Sequence, residues 1–266
     1  MLTNFHTHTT FCDGTNTPEE IVLYAIDNGF DSIGFSGHGY TEFDLRYCMK
    51  DTKGYISDIK RLKEKYKNKI QIYLGVEEDA FSPVKREEFD YIIGSSHYFC
   101  VDGTYYSIDS SYDGFKKCIE IFGEDIIRLS EAYYKGFCNY ILKRKPDIVG
   151  HFDLITKFDE IDTQRFLCNT KYLKTADKYI EKAAAADVLF EVNTGAISRG
   201  FRSAPYPHEN LLYVLKKHNA QLMLASDSHS ADMLDFNFKE TKKLLRDIGF
   251  EYVYVIYDSE FKKDLL

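Results

Sequence analysis

Histidine and carboxylate side chains recur at the ends of short apolar segments in this 266-residue chain. Imidazole and carboxylate ligands without thiolate suit borderline to hard divalent ions such as Zn, Mn or Fe. Nine such residues are too many for one ion, so the pattern predicts a site with several metal ions. The candidate ligands are His6, His8, Asp13, His38, Glu77, His97, His151, Asp227 and His229.

Two of these pairs have the spacing of residues that share one face of a strand. His6 and His8 are two positions apart, as are Asp227 and His229, and residues i and i+2 of a strand point to the same side. Buried parallel strands are normally almost entirely apolar. Polar side chains at so many strand ends therefore indicate one shared site.

The elements that must position these residues are short apolar runs separated by helical stretches, an alternation typical of βαβ units and a parallel sheet. A closed α/β barrel fits seven such runs, with an eighth at the end of the chain, and an open doubly wound sheet is the alternative. In barrels the carboxyl ends of the strands carry the chemistry. The predicted strands are Leu2–Thr7, Ser32–His38, Gln71–Glu77, Tyr91–His97, Ile148–His151, Leu189–Asn193, Leu222–Asp227 and Tyr252–Ile256.

Two helices have clear sequence signals. Thr17-Pro-Glu-Glu20 predicts a capping box that opens a helix running to about Asn28. Apolar residues recur every three or four positions within 124–145, which predicts an amphipathic helix. No linker or compositional shift divides the chain, so we expect one domain over residues 1–266.

Composition excludes several classes of protein. The net charge of -8 and the absence of a clustered basic patch argue against a nucleic-acid partner. No apolar run approaches the ~18 residues of a membrane span, and the first residues do not resemble a secretory signal. The six cysteines are scattered, as expected for free thiols in a reducing compartment. We therefore expect a cytoplasmic protein, and its oligomeric state stays open.

Six motifs together resemble the polymerase and histidinol phosphatase (PHP) superfamily over nearly the whole chain. The resemblance implies a distorted (β/α)7 TIM-like barrel with three metal ions, and the chain length and Glu-Val-Asn-Thr194 segment resemble the histidinol-phosphatase branch. The motifs are His6-Thr-His8-Thr with Asp13-Gly14, Ser36-Gly37-His38, Gly75-Val-Glu77, Ser95-Ser-His97, Gly150-His151-Phe-Asp153 and Ser226-Asp227-Ser-His229.

The resemblance also implies how the ligands divide among the metals. His6, His8, Glu77 and Asp227 would hold the first ion, and Glu77 would bridge to a second ion held by His97 and His151. The third ion would be held by Asp13, His38 and His229. Many family members have histidine where this chain has Asp13, and histidinol phosphatases often have arginine near the position of Lys157.

Such a site suits hydrolysis of a phosphate monoester. Three divalent ions and three carboxylates give a local charge of about +3, which attracts a phosphate dianion. A hydroxide that bridges two metals is available as a nucleophile near neutral pH. Asp227 or His229 is the candidate proton donor, and Lys157, Arg199 and Arg202 are candidate phosphate ligands on loops. The expected reaction converts L-histidinol phosphate to L-histidinol and phosphate, as in histidine biosynthesis.

Other functions stay open at this point. A related phosphoesterase would act on another small phosphorylated substrate, such as a nucleotide or phosphotyrosine, and a non-catalytic PHP module would bind metal only. Metal-dependent amidohydrolases share the first HxH motif but lack the GxE and SxH pattern. Cys138 and Arg144 have the Cx5R spacing of cysteine-dependent phosphatases, yet they lie in a predicted helix without a glycine-rich phosphate loop.

Overall fold

A parallel sheet forms the centre of the protein, which is described by a computed structural model over residues 1–161 and 164–266. Seven strands pair in the spatial order β1-β2-β3-β4-β7-β8-β9, all in parallel. The strands in chain order are β1 (Thr3–Asn4), β2 (Ser32–Phe35), β3 (Gln71–Asp79), β4 (Tyr91–Ser95), β5 (Tyr98–Val101), β6 (Thr104–Ser107), β7 (Ile148–Val149), β8 (Leu189–Asn193), β9 (Gln221–Ala225), β10 (Tyr252–Tyr257) and β11 (Glu260–Leu265).

The two edge strands of this sheet approach each other and nearly close it into a barrel. A parallel bridge joins Thr7 to Ser228. The amide of His8 donates to the Ser228 carbonyl at 2.8 Å, and the amide of Ser228 donates to the His6 carbonyl at 3.1 Å. The predicted distorted (β/α)7 barrel is therefore confirmed, and the open doubly wound sheet is excluded. The closing contacts lie at the same residues that carry the predicted ligands.

Helices cover the outside of the barrel. Apolar residues of α1 and α2 pack on β2 and β3, while α4, α5, α7 and α8 form a larger cluster with β7, β8 and β9. No helix within the described residues is long and apolar enough to cross a membrane. The helices are α1 (Pro18–Asp27), α2 (Thr52–Tyr66), α3 (Tyr112–Ile121), α4 (Ile126–Arg144), α5 (Thr170–Ala184), α6 (Gly195–Ser198), α7 (Glu209–Lys217) and α8 (Phe238–Ile248).

Both predicted helix signals are confirmed. The Thr17 hydroxyl accepts from the Glu20 amide at 3.3 Å, and the Glu20 carboxylate accepts from the Thr17 amide at 2.8 Å, which is a complete capping box. Helix α4 buries the predicted apolar stripe, which includes Leu129, Tyr133 and Phe137. This stripe packs against α5 within the larger outer cluster.

The last predicted strand lies outside the barrel. Tyr252–Tyr257 pairs antiparallel with Glu260–Leu265, and this hairpin covers the amino-terminal end of the barrel. The Ser32 hydroxyl donates to the Ile256 carbonyl at 3.0 Å, and Val255 and Ile256 join the apolar cluster inside that end. The hairpin therefore closes one end of the barrel and leaves the other end open for a site.

A second hairpin rises beside the carboxyl end of the barrel. Strands β5 and β6 are connected by Asp102 and Gly103, both at positive φ, as a tight two-residue hairpin turn requires. Its first residue, Tyr98, is buried, and the chain continues from the hairpin into α3. This hairpin and the segment that leads to α3 thus form a wall beside the mouth of the barrel.

The barrel interior below the mouth is filled by Tyr91. Its hydroxyl donates to the Phe5 carbonyl at 2.5 Å, and its ring occupies the space that side chains at Gly34 and Gly75 would need. A Cβ atom on Gly75 would lie 2.2 Å from Tyr91 Cζ. Gly75, two residues before Glu77 on β3, therefore makes room for the ring of Tyr91 below the mouth of the barrel.

Candidate metal centre

The structure brings all nine predicted ligands together at the carboxyl end of the barrel. Each follows or ends a barrel strand, so the sheet itself determines their spacing. Four groups have donor atoms that all lie within 4.8 Å of one another. These groups are His6, His8 and Asp227; His6, Glu77 and His151; His38, Glu77 and His97; and His8, Asp13, His38 and His229.

Glu77 lies at the centre of this arrangement. Its Oε1 atom is 3.3 Å from His97 Nε2 and 2.9 Å from His151 Nε2. Its Oε2 atom is 3.4 Å from His6 Nε2 and 3.7 Å from His8 Nε2. One carboxylate therefore offers a separate oxygen to each of two imidazole pairs, as a ligand that bridges two ions requires, and its Oε2 atom also lies 2.7 Å from His38 Nδ1.

Asp227 completes the group around the first histidine pair. Its Oδ1 atom is 3.0 Å from His8 Nε2 and 3.7 Å from His6 Nε2. The His6 Nε2, His8 Nε2 and Glu77 Oε2 atoms are buried, and although charged neighbours lie close to them, none of these contacts has the geometry of a hydrogen bond. Buried polar atoms without partners are costly. A divalent cation between them would satisfy all three, so these residues fit a metal ion.

The remaining ligands form an outer group around Asp13. Its Oδ2 atom is 3.6 Å from His38 Nε2 and 3.3 Å from His229 Nε2. Its Oδ1 atom is 3.4 Å from His8 Nδ1. The Asp13 and His229 side chains are 33% and 25% exposed, whereas those of His6 and His8 are fully buried. This group is therefore the one nearest to solvent.

The buried charges of the site depend strongly on one another. Burial alone would lower the pKa of His6, but Glu191, Asp227 and Glu77 together raise it to about 10. Burial alone would raise the pKa of Glu77, yet the imidazoles of His38, His97 and His6 hold it well below its usual range. The carboxylates thus require nearby positive charge, which either protons or divalent ions can supply.

Two further carboxylates contact histidines among the predicted ligands, and sequence reasoning missed both. The Glu191 Oε1 atom is 2.5 Å from His6 Nδ1, and its Oε2 atom accepts from the His151 amide at 2.8 Å. Asp79 accepts from the His97 amide at 2.9 Å and lies 3.2 Å from His97 Nδ1. Carboxylates in this position fix the ring and tautomer of a metal-binding histidine. The sequence feature that could have revealed them is a carboxylate within, or at the end of, an otherwise apolar strand, as Glu191 and Asp79 are in β8 and β3.

Two of the predicted phosphate ligands line the mouth of the barrel. The Arg199 guanidinium donates to Asp227 Oδ2 at 3.0 Å and lies 3.0 Å from His229 Nδ1. The Lys157 ammonium donates to the Asp109 carbonyl at 2.8 Å. Arg199 therefore holds two predicted ligands in place, while Lys157 connects the site to the segment that follows β6.

Arg202, the third predicted phosphate ligand, lies below the mouth of the barrel. Its side chain is fully buried, donates to the Thr156 hydroxyl at 2.8 Å and lies 3.5 Å from Asp153 Oδ2. Its guanidinium also stacks over the Tyr206 ring at 4.4 Å. Arg202 lines neither cavity of the mouth, so the structure does not bring it together with Arg199 and Lys157. Arg202 instead supports Tyr206, which does line the mouth.

The mouth contains two cavities. The inner cavity, about 220 Å³, is lined by Glu77, His151, Arg199, Tyr206 and other residues of the centre. The outer cavity, about 320 Å³, has walls formed by Asp44, Arg46, Tyr47, Tyr98, Ser107 and Ser110. Five residues line both cavities and therefore mark the passage between them: Asp13, His38, His97, Asp109 and Lys157.

The Cx5R pair does not form a phosphate site. Cys138 is buried in α4, where its thiol donates to the Tyr179 carbonyl at 3.2 Å, and burial raises the pKa of the thiol to about 12. The Arg144 guanidinium is bound to Glu78 at 2.7 and 2.8 Å. A thiol that stays protonated and an arginine that is already paired cannot perform cysteine-dependent phosphate chemistry.

The fold and the ligand groups define the class of protein, an α/β barrel with clustered candidate metal ligands at the carboxyl ends of its strands. The chain belongs to the PHP domain family, whose model matches residues 4–195.

Curated relatives and solved structures resemble nearly the whole chain. The Schizosaccharomyces pombe "Probable histidinol-phosphatase" is 27% identical over 87% of this chain and 81% of its own length. The Bacillus subtilis histidinol-phosphatase is 24% identical over 88% of this chain and 96% of its own length. The structure of the Lactococcus lactis histidinol phosphate phosphatase was solved with Zn, L-histidinol and phosphate. Its match covers 98% of this chain and 99% of its own, with 18% identity and a TM-score of 0.71. A HisK structure from Listeria monocytogenes matches with a TM-score of 0.76 and 22% identity, and the match covers 90% of this chain and 99% of its own.

Proposed function

We propose that this protein is a metal-dependent phosphomonoesterase that hydrolyses L-histidinol phosphate to L-histidinol and phosphate. The observation that carries the proposal is the Glu77 carboxylate between two pairs of imidazoles, at the base of a cavity large enough for a small phosphate ester. The relatives named histidinol-phosphatase support the choice of substrate.

The nine ligands would hold three divalent ions of Zn, Mn or Fe. His6, His8 and Asp227 would bind the first ion through atoms that now lie within 4.8 Å of one another. Glu77 would be shared with a second ion at His97 and His151. The third ion would bind to Asp13, His38 and His229 in the outer, partly exposed group. Bound there, the ions would neutralise phosphate charge and acidify water.

The residues around the ions would orient the ester and manage protons. Arg199 and Lys157 would bind the phosphate oxygens, because both cations line the inner cavity. Asp227 and His229 are the candidates to protonate the leaving alcohol, and the Arg199 contacts to both hold them at the cavity wall. Glu191 and Asp79 would keep the His6 and His97 rings in the orientation that metal binding requires.

Phosphate release from a panel of substrates tests this function. Metal-loaded protein should hydrolyse L-histidinol phosphate with a kcat/KM at least about tenfold above the values for a nucleotide monophosphate and phosphotyrosine, and His8→Ala should abolish the reaction. Cys138→Ser serves as the control and should retain activity. A preference for nucleotide would keep the mechanism and overturn the substrate. Activity that survives His8→Ala and metal removal would overturn the mechanism.

A further inference from the structure

The passage between the two cavities carries an ion pair that the metal centre does not use. Lys157 Nζ lies 2.8 Å from the Asp109 carbonyl but 3.5 Å from the Asp109 carboxylate. The long second distance means that this carboxylate is only weakly engaged by the ammonium. Asp109 also accepts a hydrogen bond from the Ser107 hydroxyl at 3.1 Å, which fixes its position. Both partners are mostly buried, at 14% and 22% exposure.

The position of this pair matches the charges of the proposed substrate. L-Histidinol phosphate carries an ammonium group on the carbon next to the phosphorylated carbon, so a group that binds this ammonium must lie close to the phosphate. Asp109 satisfies this condition because it lines the inner cavity as well as the outer one.

Asp44, the other carboxylate of the outer cavity outside the metal centre, does not satisfy the same condition. It lines only the outer cavity. Arg46 occupies both of its oxygens, and the Tyr98 hydroxyl donates to Oδ2 at 2.9 Å. Asp44 is therefore bound within the wall, whereas Asp109 has a carboxylate oxygen available to a further donor.

We propose that Asp109 selects substrates with an ammonium group next to the phosphate ester, a role that rests on the proposed function. When substrate enters, the weak contact between the side chains of Asp109 and Lys157 is exchanged for two contacts with the ligand. The Lys157 ammonium binds a phosphate oxygen, and the Asp109 carboxylate accepts from the substrate ammonium. The imidazole then extends into the outer cavity, where Tyr47 and Tyr98 form an aromatic wall.

The test compares two esters in metal-loaded enzyme: L-histidinol phosphate and its analogue that lacks the amino group. Asp109→Asn should lower the ratio of the two kcat/KM values about 10- to 100-fold, the range expected for loss of one hydrogen bond to a charged group. Lys157→Met should lower both values by a similar factor. Asp113→Asn, the same change at a carboxylate that is 82% exposed on α3, should leave the ratio within about twofold.

An unchanged ratio in Asp109→Asn, or an equal loss on both esters, would overturn the role of Asp109 and leave the proposed function intact. Failure of the wild-type protein to hydrolyse L-histidinol phosphate would instead overturn the proposed function. If Asp109→Asn does not fold, inhibition of the wild-type protein gives a second comparison. L-Histidinol should then inhibit about tenfold more tightly than its analogue without the amino group, and equal inhibition would overturn the proposal.

Discussion

The two ends of the barrel use the same strands for opposite purposes. At the amino-terminal end, Phe5, Tyr73, Met223 and Ile256 form an apolar cluster that the terminal hairpin covers. At the carboxyl end, the same strands finish in buried histidines and carboxylates, with Glu77 1% exposed. Apolar burial stabilises the first end by itself. The second end buries charge that is compensated only by mutual pairing or by bound cations, so stability and function are separated along each strand.

This separation predicts that Glu77→Gln has the largest effect, and that the effect is on function. The amide keeps the size of the side chain but cannot offer an anionic oxygen to both histidine pairs. We expect loss of metal from the centre and a fall in kcat/KM of ~10³-fold, which corresponds to several kcal/mol of lost transition-state stabilisation. Metal analysis and phosphate release measure both, with the exposed Glu87→Gln as control. Full metal content with full activity would contradict the central role of Glu77.

At the opposite end, Met223→Ala should affect stability rather than chemistry. Met223 is 1% exposed within the apolar cluster, and truncation of such a side chain costs ~2–5 kcal/mol. Denaturant unfolding should show this loss, while the metal content per folded chain stays that of the wild type. Leu142→Ala, at an exposed site on α4, should change the free energy of unfolding by less than about 0.5 kcal/mol. Loss of metal in folded Met223→Ala protein would show that the two ends are coupled.

Glu191→Gln should give a smaller effect at the functional end. The amide can still contact His6 Nδ1, but the anionic partner of the ring is lost. Changes of this kind lower metal affinity or activity about 10- to 100-fold. Competition with a chelator measures the affinity, with the exposed Glu181→Gln as the matched control. Unchanged affinity would mean that Glu191 serves only to pair with the His151 amide and Asn193.

The smallest effect is expected for Asp79→Asn. The asparagine amide oxygen can still accept from the His97 backbone amide, which lies 2.9 Å from the Asp79 carboxylate, so only the contact to the ring is weakened. We expect a loss of metal affinity below that of Glu191→Gln, of the order of tenfold. The same chelator competition measures it, and a loss greater than that of Glu191→Gln would reverse the order of the two positioning carboxylates.

Sequence patterns predicted a parallel α/β fold because local signals and the overall fold agree, and the family resemblance then favoured the barrel over the open sheet. Leu189–Asn193 forms the strand that was predicted, and the capping box at Thr17 begins the first helix. The second hairpin was not predicted as strands, because Tyr98–Val101 follows the apolar run Tyr91–Ser95 almost without a break. Tyr252–Ile256 was predicted as a strand, yet the pairing of the observed strand Tyr252–Tyr257 with Glu260–Leu265 cannot be derived from alternation in either segment alone.

The site divides in the same way between residues with a local signal and residues without one. A histidine at a strand end is conspicuous, so the nine candidate ligands could be chosen before their distances were known. Glu191 and His6 are 185 positions apart, and no spacing rule connects them. Arg202 had the same signal as Arg199, a cation on a loop, but the loop turns its side chain inward toward Asp153. The direction of a loop side chain depends on packing that the local sequence does not reveal.

A metal titration of the metal-free protein tests the central claim most directly. Phosphate release from L-histidinol phosphate would be followed as Zn or Mn is added in measured equivalents per chain. The nine ligands predict that activity rises with added metal and reaches its plateau at about three equivalents. Full activity in the metal-free protein, or a plateau at one equivalent, would contradict a centre built from three ions around Glu77.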